Sequence, residues 1–346
     1  MTRAVIYGLA SAVLFGLSTP LAKTLVGSIP PLLLAGLLYA GAGIGLAAVL
    51  AVRQMLSSRP VAMPSRNDLP WLGGAILVGG VLGPVGLMIG LTSTPASSAS
   101  LLLNFEAVFT ALLAWFLFHE NFDRRIALAM LSIVCGGVVL AIGPMAGGGV
   151  AGPALITLAC FCWALDNNLT RKVSASDAAL LACIKGLVAG LVNIGLALAI
   201  GYSMPSARSV VAATFVGFLG YGVSLALFVL ALRDLGTARA GAYFSVAPFF
   251  GAAAAVLIQG EPLTWQLAGA GALMAIGVWL HVTERHLHQH VHEPIAHTHA
   301  HSHDAHHQHD HDFDWNREEP HVHPHVHAPL THAHPHYPDI HHRHDH

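Results

Sequence analysis

Residues 106–120 read EAVFTALLAWFLFHE, and residues 247–261 read APFFGAAAAVLIQGE. A shift of 141 positions places the first segment on the second, with apolar residues on apolar residues and Glu120 on Glu261. A second correspondence, near the start of each half of the chain, places Lys23 on Arg171. Apolar segments match by chance easily, so the charged positions carry most of the weight. The chain is therefore predicted to contain two copies of one structural unit.

The composition excludes a soluble globular protein. Apolar residues make up 54% of the chain and charged residues 10%, against about 25% charged in ordinary globular proteins. A membrane-spanning helix needs about 20 mainly apolar residues. Ten stretches qualify: 4–26, 31–52, 69–91, 96–118, 124–143, 150–170, 177–201, 210–232, 236–259 and 264–283. The first resembles a signal peptide, but nine further spans favour an uncleaved helix.

The number of spans predicts how the two copies are arranged. Five helices per copy is an odd number, so the second copy enters the membrane upside down. The predicted fold is an all-α membrane protein of about ten transmembrane helices in two inverted five-helix repeats. The predicted boundaries are 1–145 for the first repeat, 146–283 for the second, and 284–346 for a separate tail. This architecture is typical of transporters rather than of membrane enzymes.

Basic residues predict the orientation, because cytoplasmic loops are enriched in Lys and Arg. When the loops are assigned alternately to the two sides, one side receives Arg3, Arg53, Arg59, Arg66, Arg124, Arg125, Arg171, Lys172, Arg233, Arg239 and Arg285, and the other receives Lys23 and Arg208. Eleven against two predicts a multi-pass protein of the cell inner membrane with both termini in the cytoplasm.

The repeated motifs resemble a known family. The Phe15-Gly16 pair followed by Lys23, together with the two segments that end at Glu120 and Glu261, resembles EamA-type members of the drug/metabolite transporter superfamily. The resemblance covers roughly residues 4–283. It implies two EamA repeats and the export or exchange of small metabolites, and it implies that the protein is not an enzyme.

The chain also departs from the family pattern. Ala107 stands where the family usually has the proline kept here as Pro248, and His119 stands where it usually has glycine. The tail has no counterpart in the common pattern.

Ionisable side chains inside the membrane are candidates for function, because each costs about 3 kcal/mol or more at a helix centre. Glu106 lies about halfway along the fourth predicted helix. Its carboxyl group can exchange protons or bind a cationic substrate group; the alternative is a structural hydrogen bond to a neighbouring helix. Asn104, on a different side of the same helix, is the weaker candidate, and we expect it to make an interhelical bond.

Two further candidates lie in the second repeat. Lys185, in the seventh helix, can pair with an acid or bind an anionic substrate, or its ammonium group can reach the membrane surface. Asp166 and the asparagines that follow it lie near the end of the sixth helix. They can line a gate, although we favour capping of the helix end. Glu120 and Glu261 lie just past helix ends, and we expect them to form structural turns at the interface rather than to contact substrate.

Small residues and proline interrupt two of the predicted helices. The third helix contains several glycines around Pro84, and the eighth contains Gly217, Gly220 and Gly222. Proline leaves a backbone carbonyl without its helical donor, and that carbonyl must find another partner. Broken helices of this kind often line a transport cavity, although ordinary membrane packing has the same composition. The four cysteines lie in apolar runs and are expected to be packing residues.

The tail has a different character, because 24 of the 25 histidines lie at or beyond His281. Histidine alternates with one other residue in four runs: His286, His288, His290 and His292; His297, His299, His301 and His303; His321, His323, His325 and His327; His332, His334 and His336. In an extended chain alternate residues share a face, which suits coordination of zinc, nickel, copper or cobalt. We expect a disordered tail that binds such metals; the alternative is a merely polar tail.

These observations predict a secondary transporter of a small metabolite or drug-like solute that works by alternating access, and the family resemblance implies that it is an exporter. Two alternatives stay open: an exporter of divalent zinc, nickel or cobalt, and a membrane-anchored metal buffer or sensor without transport. The expected partners are the lipid bilayer, a small-molecule substrate, divalent metal ions and a second copy of the chain, and no nucleic acid. No cofactor is expected for the body of the protein.

Overall fold

The computed structural model describes residues 2–56, 63–118, 124–142, 149–171, 173, 176–235 and 237–283, together with the backbone at 286–292, 296–301, 321–326 and 330–336. The chain divides into two units, Met1–Glu284 and Arg285–His346. Several positions discussed above lie outside the described residues, namely Arg59, His119, Glu120, Lys172, Arg285, His303 and His327.

The first unit is all-helical, as predicted. Its α-helices are α1 (Thr2–Val26), α2 (Pro31–Leu56), α3 (Leu69–Ala75), α4 (Gly83–Ser93), α5 (Ala96–Leu102), α6 (Phe105–Phe118), α7 (Arg124–Ile142), α8 (Ala151–Arg171), α9 (Ala178–Ala199), α10 (Ala207–Gly217), α11 (Ser224–Leu235), α12 (Thr237–Phe244), α13 (Ala247–Gln259) and α14 (Trp265–Val282). A 3-10 turn, Arg66–Asp68, precedes α3. Two π-helical segments join helices end to end: Ile76–Leu82 between α3 and α4, and Phe218–Val223 between α10 and α11.

In the described part of the chain these helices form ten consecutive units, and eight spans are long and apolar enough to cross a membrane. Successive units run in opposite directions, so their ends form two faces. The Lys23 face contains the ends of α1, α4 and α13. The Arg53 face contains the ends of α2 and α8 and the start of α9, where Arg53 pairs with Asp177 at 2.8 Å. The ten-helix prediction is confirmed.

The contact between α7 and α14 shows the symmetry of the two repeats. A Cβ atom added to Gly136 would lie 3.0 Å from the carbonyl oxygen of Ala270, and one added to Gly277 would lie 2.7 Å from that of Ala129. Gly136 and Gly277 are repeat equivalents, and so are Ala129 and Ala270. Such reciprocal contacts require a pseudo-two-fold axis between the two helices, as expected for an inverted repeat.

The fourth and ninth predicted spans differ from the expectation, because each is broken in the middle. In the fourth span, the Nδ2 amide of Asn104 donates to the carbonyl oxygen of Leu101 at 2.8 Å, which competes with regular helical bonding between α5 and α6. In the ninth span, Pro248 lies in the first turn of α13 and has no N–H to donate to the preceding helix.

The second unit contains the histidine-rich tail. The structure describes four strands there, β1 (His286–His292), β2 (Ala296–His301), β3 (His321–Val326) and β4 (Leu330–His336). β1 pairs antiparallel with β4, and β2 with β3. The two-residue period of the histidine runs matches the period of a β-strand, which accounts for this arrangement.

Candidate functional site

An ion pair inside the membrane joins α8 to α9. The ammonium group of Lys185 lies 2.5 and 2.6 Å from the two carboxylate oxygens of Asp166. The Thr170 hydroxyl donates to Asp166 Oδ1 at 2.9 Å. Only 17% of the Lys185 side chain and 9% of the Asp166 side chain are exposed. Lys185 therefore pairs with an acid instead of reaching the membrane surface, and Asp166 holds this lysine instead of capping α8.

Glu106 lies beside this ion pair. It is the second residue of α6, directly after the break in the fourth span, and it accepts a 2.8 Å hydrogen bond from the Nδ2 amide of Asn167. Asp166 and Lys185 both lie within electrostatic range of Glu106. The three charged groups form one cluster, here called the charged cluster. With all three ionised, the cluster carries one excess negative charge, which favours a cationic group of a bound solute.

The π-helical segment Ile76–Leu82 forms a wall of the same region. Pro84 has no N–H, so the carbonyl oxygen of Gly79 loses the donor that π-helical bonding would supply five residues later. Two side chains replace it: the Tyr39 hydroxyl donates to this oxygen at 2.9 Å, and the Trp163 indole N–H donates to it at 3.0 Å. The sequence-based expectation that Pro84 frees a carbonyl is confirmed.

The next carbonyl in the segment, that of Gly80, also accepts a hydrogen bond from a side chain. The Asn193 Nδ2 amide donates to the carbonyl oxygen of Gly80 at 3.1 Å. Gly79 itself packs against the charged cluster, because a Cβ atom added to it would lie 2.1 Å from Asp166 Oδ2. The π-helical wall and the ion pair are therefore in direct contact, and a side chain at Gly79 would displace the carboxylate.

Aromatic side chains extend away from the charged cluster. Tyr39, which is within electrostatic range of Glu106, has its ring 5.8 Å from that of Tyr221 in the second π-helical segment. Phe15 of α1 follows, 5.7 Å from Tyr221 and 5.2 Å from Phe244 at the end of α12. A chain of packed aromatic rings thus runs from the charged cluster through Tyr39 and Tyr221 to Phe15 and Phe244.

Not every candidate joins this site. Asn104 is 4% exposed, and besides its bond to Leu101 its amide lies 3.8 Å from the sulfur of Met274 in α14, so it makes an interhelical contact outside the charged cluster. Glu261 lies at the Lys23 face. Among the described side chains, no group of three or more His, Cys, Asp or Glu residues is placed to hold a metal ion.

Sequence reasoning missed Tyr39, Trp163 and Tyr221. All three are aromatic residues inside apolar helices, which usually serve packing. Tyr39 lies between Gly36 and Gly41 in α2, three residues after the first and two before the second, and Tyr221 lies directly between Gly220 and Gly222. A hydroxyl among small residues was the available signal, because a buried Tyr hydroxyl needs a partner.

Comparison with known proteins identifies the family. Residues 2–142 and 150–283 each match the EamA-like transporter family. The chain belongs to the EamA-like transporter family. The two matches cover most of the first unit, so the protein is a multi-pass membrane transporter of small solutes.

Two relatives and one solved structure are similar to this EamA-like protein. An uncharacterised transporter of Methanothermobacter thermautotrophicus is 28% identical over 287 residues, which span 79% of this chain and 84% of the relative. A probable amino-acid metabolite efflux pump of Salmonella typhimurium is 30% identical over 207 residues, spanning 54% of this chain and 68% of the relative. A crystal structure that is 18% identical superimposes with a TM-score of 0.59 over 80% of this chain and 95% of its own, a likeness of fold alone.

Proposed function

We propose that this protein exports a small amphipathic metabolite by alternating access, and that Glu106 couples the export to protons. The observation that carries the proposal is the charged cluster, which sets Glu106 beside an internally compensated Asp166–Lys185 pair. A carboxyl group in such a place can bind either a proton or a cationic group, and exchange of one for the other drives coupled transport. The similarity to the probable amino-acid metabolite efflux pump of Salmonella typhimurium supports an amino-acid-like solute and outward transport.

The test is transport by the purified protein in liposomes. Candidate solutes are amino-acid metabolites and amphipathic amines, offered with and without an imposed pH gradient. Glu106→Gln should abolish uptake driven by the gradient but preserve exchange of labelled for unlabelled solute. Asp68→Asn, which removes a carboxylate from the turn before α3, is the matched control and should behave as the unmodified protein. Gradient-driven uptake that survives in Glu106→Gln would reduce this residue to a packing role.

We propose further that the Arg53 face is cytoplasmic, that the membrane is the cell inner membrane, and that the termini are cytoplasmic. The proposal is supported by the excess of Lys and Arg in the loops of that face. Of two reporters fused after Thr283, one active only in the cytoplasm and one active only outside it, only the first should be active. A fusion that is active only outside the membrane would contradict both the orientation and the direction of export.

A second proposal concerns the tail, which we propose binds divalent metal ions such as zinc, nickel or cobalt. It is supported by the register of β1 with β4, in which His286, His288 and His290 lie opposite His336, His334 and His332. The same holds for β2 with β3, in which His297, His299 and His301 lie opposite His325, His323 and His321. Directly opposite positions in an antiparallel pair are about 5 Å apart, close enough for two imidazoles to share one metal ion.

Calorimetric titration with zinc tests the tail proposal. The full chain should bind several ions near pH 7.5 and release them near pH 5, because only neutral imidazole, with a pKa of about 6.5, coordinates metal. A chain that ends at Thr283 is the control and should bind none of them. Equal zinc binding by the full chain and the truncated chain would place the metal sites in the membrane-spanning unit and contradict the proposal. If metal were the cargo, truncation should also lower metal efflux from cells.

A further inference from the structure

The Lys23 face is poor in charge, yet it brings two opposite charges together. Among the described residues, Lys23, Arg208 and Glu261 are the charged side chains at this face. Arg208 is exposed at the start of α10. Lys23 and Glu261 come from different repeats, and they lie within electrostatic range of each other. The attraction between these two charges therefore acts between the repeats and not within one helix hairpin.

Glu261 binds the backbone of the opposite repeat with both carboxylate oxygens. Oε1 accepts from the backbone N–H of Ala96 at 2.6 Å, and Oε2 accepts from the N–H of Ser97 at 2.9 Å and from its hydroxyl. Gly260, with a φ of 72°, ends α13 in the left-handed conformation and directs the following residue to this position. Hydrogen bonds to a carboxylate are stronger than neutral ones, and Glu261 accepts three of them from one segment of the opposite repeat.

Two further contacts close the same face. The Lys23 ammonium group donates to the carbonyl oxygen of Leu91, near the end of α4. The Gln259 amide, at the end of α13, donates to the carbonyl oxygen of Pro20 in α1 at 2.6 Å. The Gln259 and Glu261 bonds tie the end of α13 in the second repeat to α1 and α5 in the first, and the Lys23 bond ties α1 to α4 within the first repeat.

The two faces differ in the exposure of the residues that lead to the charged cluster. Asn167, which bonds to Glu106 four residues before the end of α8 at the Arg53 face, is exposed. Ala96 and Ser97, at the Lys23 face, are 0% and 3% exposed. The residue that bonds to Glu106 is therefore exposed toward the Arg53 face, whereas the residues that Glu261 binds at the Lys23 face are buried.

We propose that Glu261, Lys23 and Gln259 form a latch that holds the Lys23 face closed, and that this latch opens when the transporter releases its solute there. A rotation of the repeats that opens this face must separate α13 from α1 and α5, which breaks the bonds of Glu261 and Gln259. The strength of the latch sets how often the face opens, so these residues control the balance between the two orientations of the site.

The latch is tested without measuring transport, so the result does not depend on the solute or on proton coupling. In a full-length variant without its four native cysteines, Ser100→Cys places a thiol one turn deeper than Ser97, at a position that is 1% exposed. A membrane-impermeant maleimide applied from the Lys23 face reports how often this face opens. Glu261→Gln should raise the labelling rate about tenfold, the factor that the loss of one hydrogen bond to a charged group produces. Lys23→Met should raise it several-fold.

Two controls separate opening from loss of structure. Arg208→Gln removes a charge from the same face outside the latch, and it should leave Ser100→Cys labelling unchanged. A thiol at Ala270, which is 0% exposed and packed between α14 and α7, should stay unlabelled in every variant. Unchanged labelling of Ser100→Cys in both Glu261→Gln and Lys23→Met would overturn the latch. Equal labelling at Ala270 would also overturn it, because the contact would then hold the fold together rather than one face.

Discussion

Removal of one partner from the Asp166–Lys185 pair is the most direct test of how the charged cluster is stabilised. Lys185→Met would leave a carboxylate that is 9% exposed, with the Thr170 hydroxyl as its remaining described donor. Breaking a buried pair in this way costs about 3–5 kcal/mol. Asp166→Asn should cost less, because the longer lysine side chain can move its ammonium group toward water.

The double variant decides whether charge burial is the cause. Asp166→Asn with Lys185→Met removes both charges, and since a buried pair is worth little against neutral residues of similar volume, it should lie within about 1 kcal/mol of the unmodified protein. Arg53→Met is the matched control, because it breaks the Asp177 pair at the membrane boundary, where 45% of the Arg53 side chain is exposed. That change should cost less than about 1 kcal/mol.

Unfolding in mixed micelles, followed by tryptophan fluorescence, measures these differences in free energy. The expected order of stability places Lys185→Met lowest, Asp166→Asn above it, and the double variant with Arg53→Met near the unmodified protein. A double variant as unstable as Lys185→Met would refute the reasoning. So would a Lys185→Met variant as stable as Arg53→Met, because the pair would then be hydrated and not buried.

Gly79→Ala should abolish transport and lower stability by roughly 1–3 kcal/mol, because its Cβ atom would displace the Asp166 carboxylate, whereas Gly73→Ala, which would meet nothing within 4 Å, should retain transport. The pKa of Asp177 is lowered: partial burial opposes ionisation, but hydrogen bonds from a guanidinium and from backbone N–H groups outweigh it. Its stabilising contribution is therefore present above about pH 4 and lost as the pH falls through the folded-state pKa, so Asp177→Asn should remove this part of acid unfolding in a pH titration of stability. A chain that ends at Thr283 should keep the unfolding midpoint of the full chain, since no membrane span depends on the tail; a lower midpoint would show that the tail supports the body.

Much of the fold followed from local properties of the chain. Hydropathy is summed within one segment at a time, so the ten spans could be counted without knowing what each helix contacts. Glu106 and Lys185 were visible as candidates for the same reason, because a charge inside an apolar run is conspicuous wherever the run packs. Pro84 predicted a free carbonyl, since the lost N–H is a property of the residue itself.

Partners depend on which helices meet, and here the sequence was insufficient. Asp166 could cap α8 or line a gate until its carboxylate was found 2.5 Å from Lys185 of the adjacent helix. Likewise, the residues that replace the missing Pro84 donor come from α2 and α8, far away along the chain. The break in the fourth span depends on a side-chain bond that competes with the helix, and the break in the ninth depends on Pro248. The hydropathy of each span is the same whether the helix is continuous or broken.

The sequence by itself thus determined that the protein crosses the membrane about ten times, that it repeats, and which charges it buries. Only the tertiary structure decided how those charges pair, and that Glu261 links the two repeats. The physical reason is that the hydropathy of a segment, which decides whether it enters the membrane, is an average over its own residues. A hydrogen bond or an ion pair, in contrast, requires two particular atoms within about 3 Å, and only the packing of distant helices brings them that close.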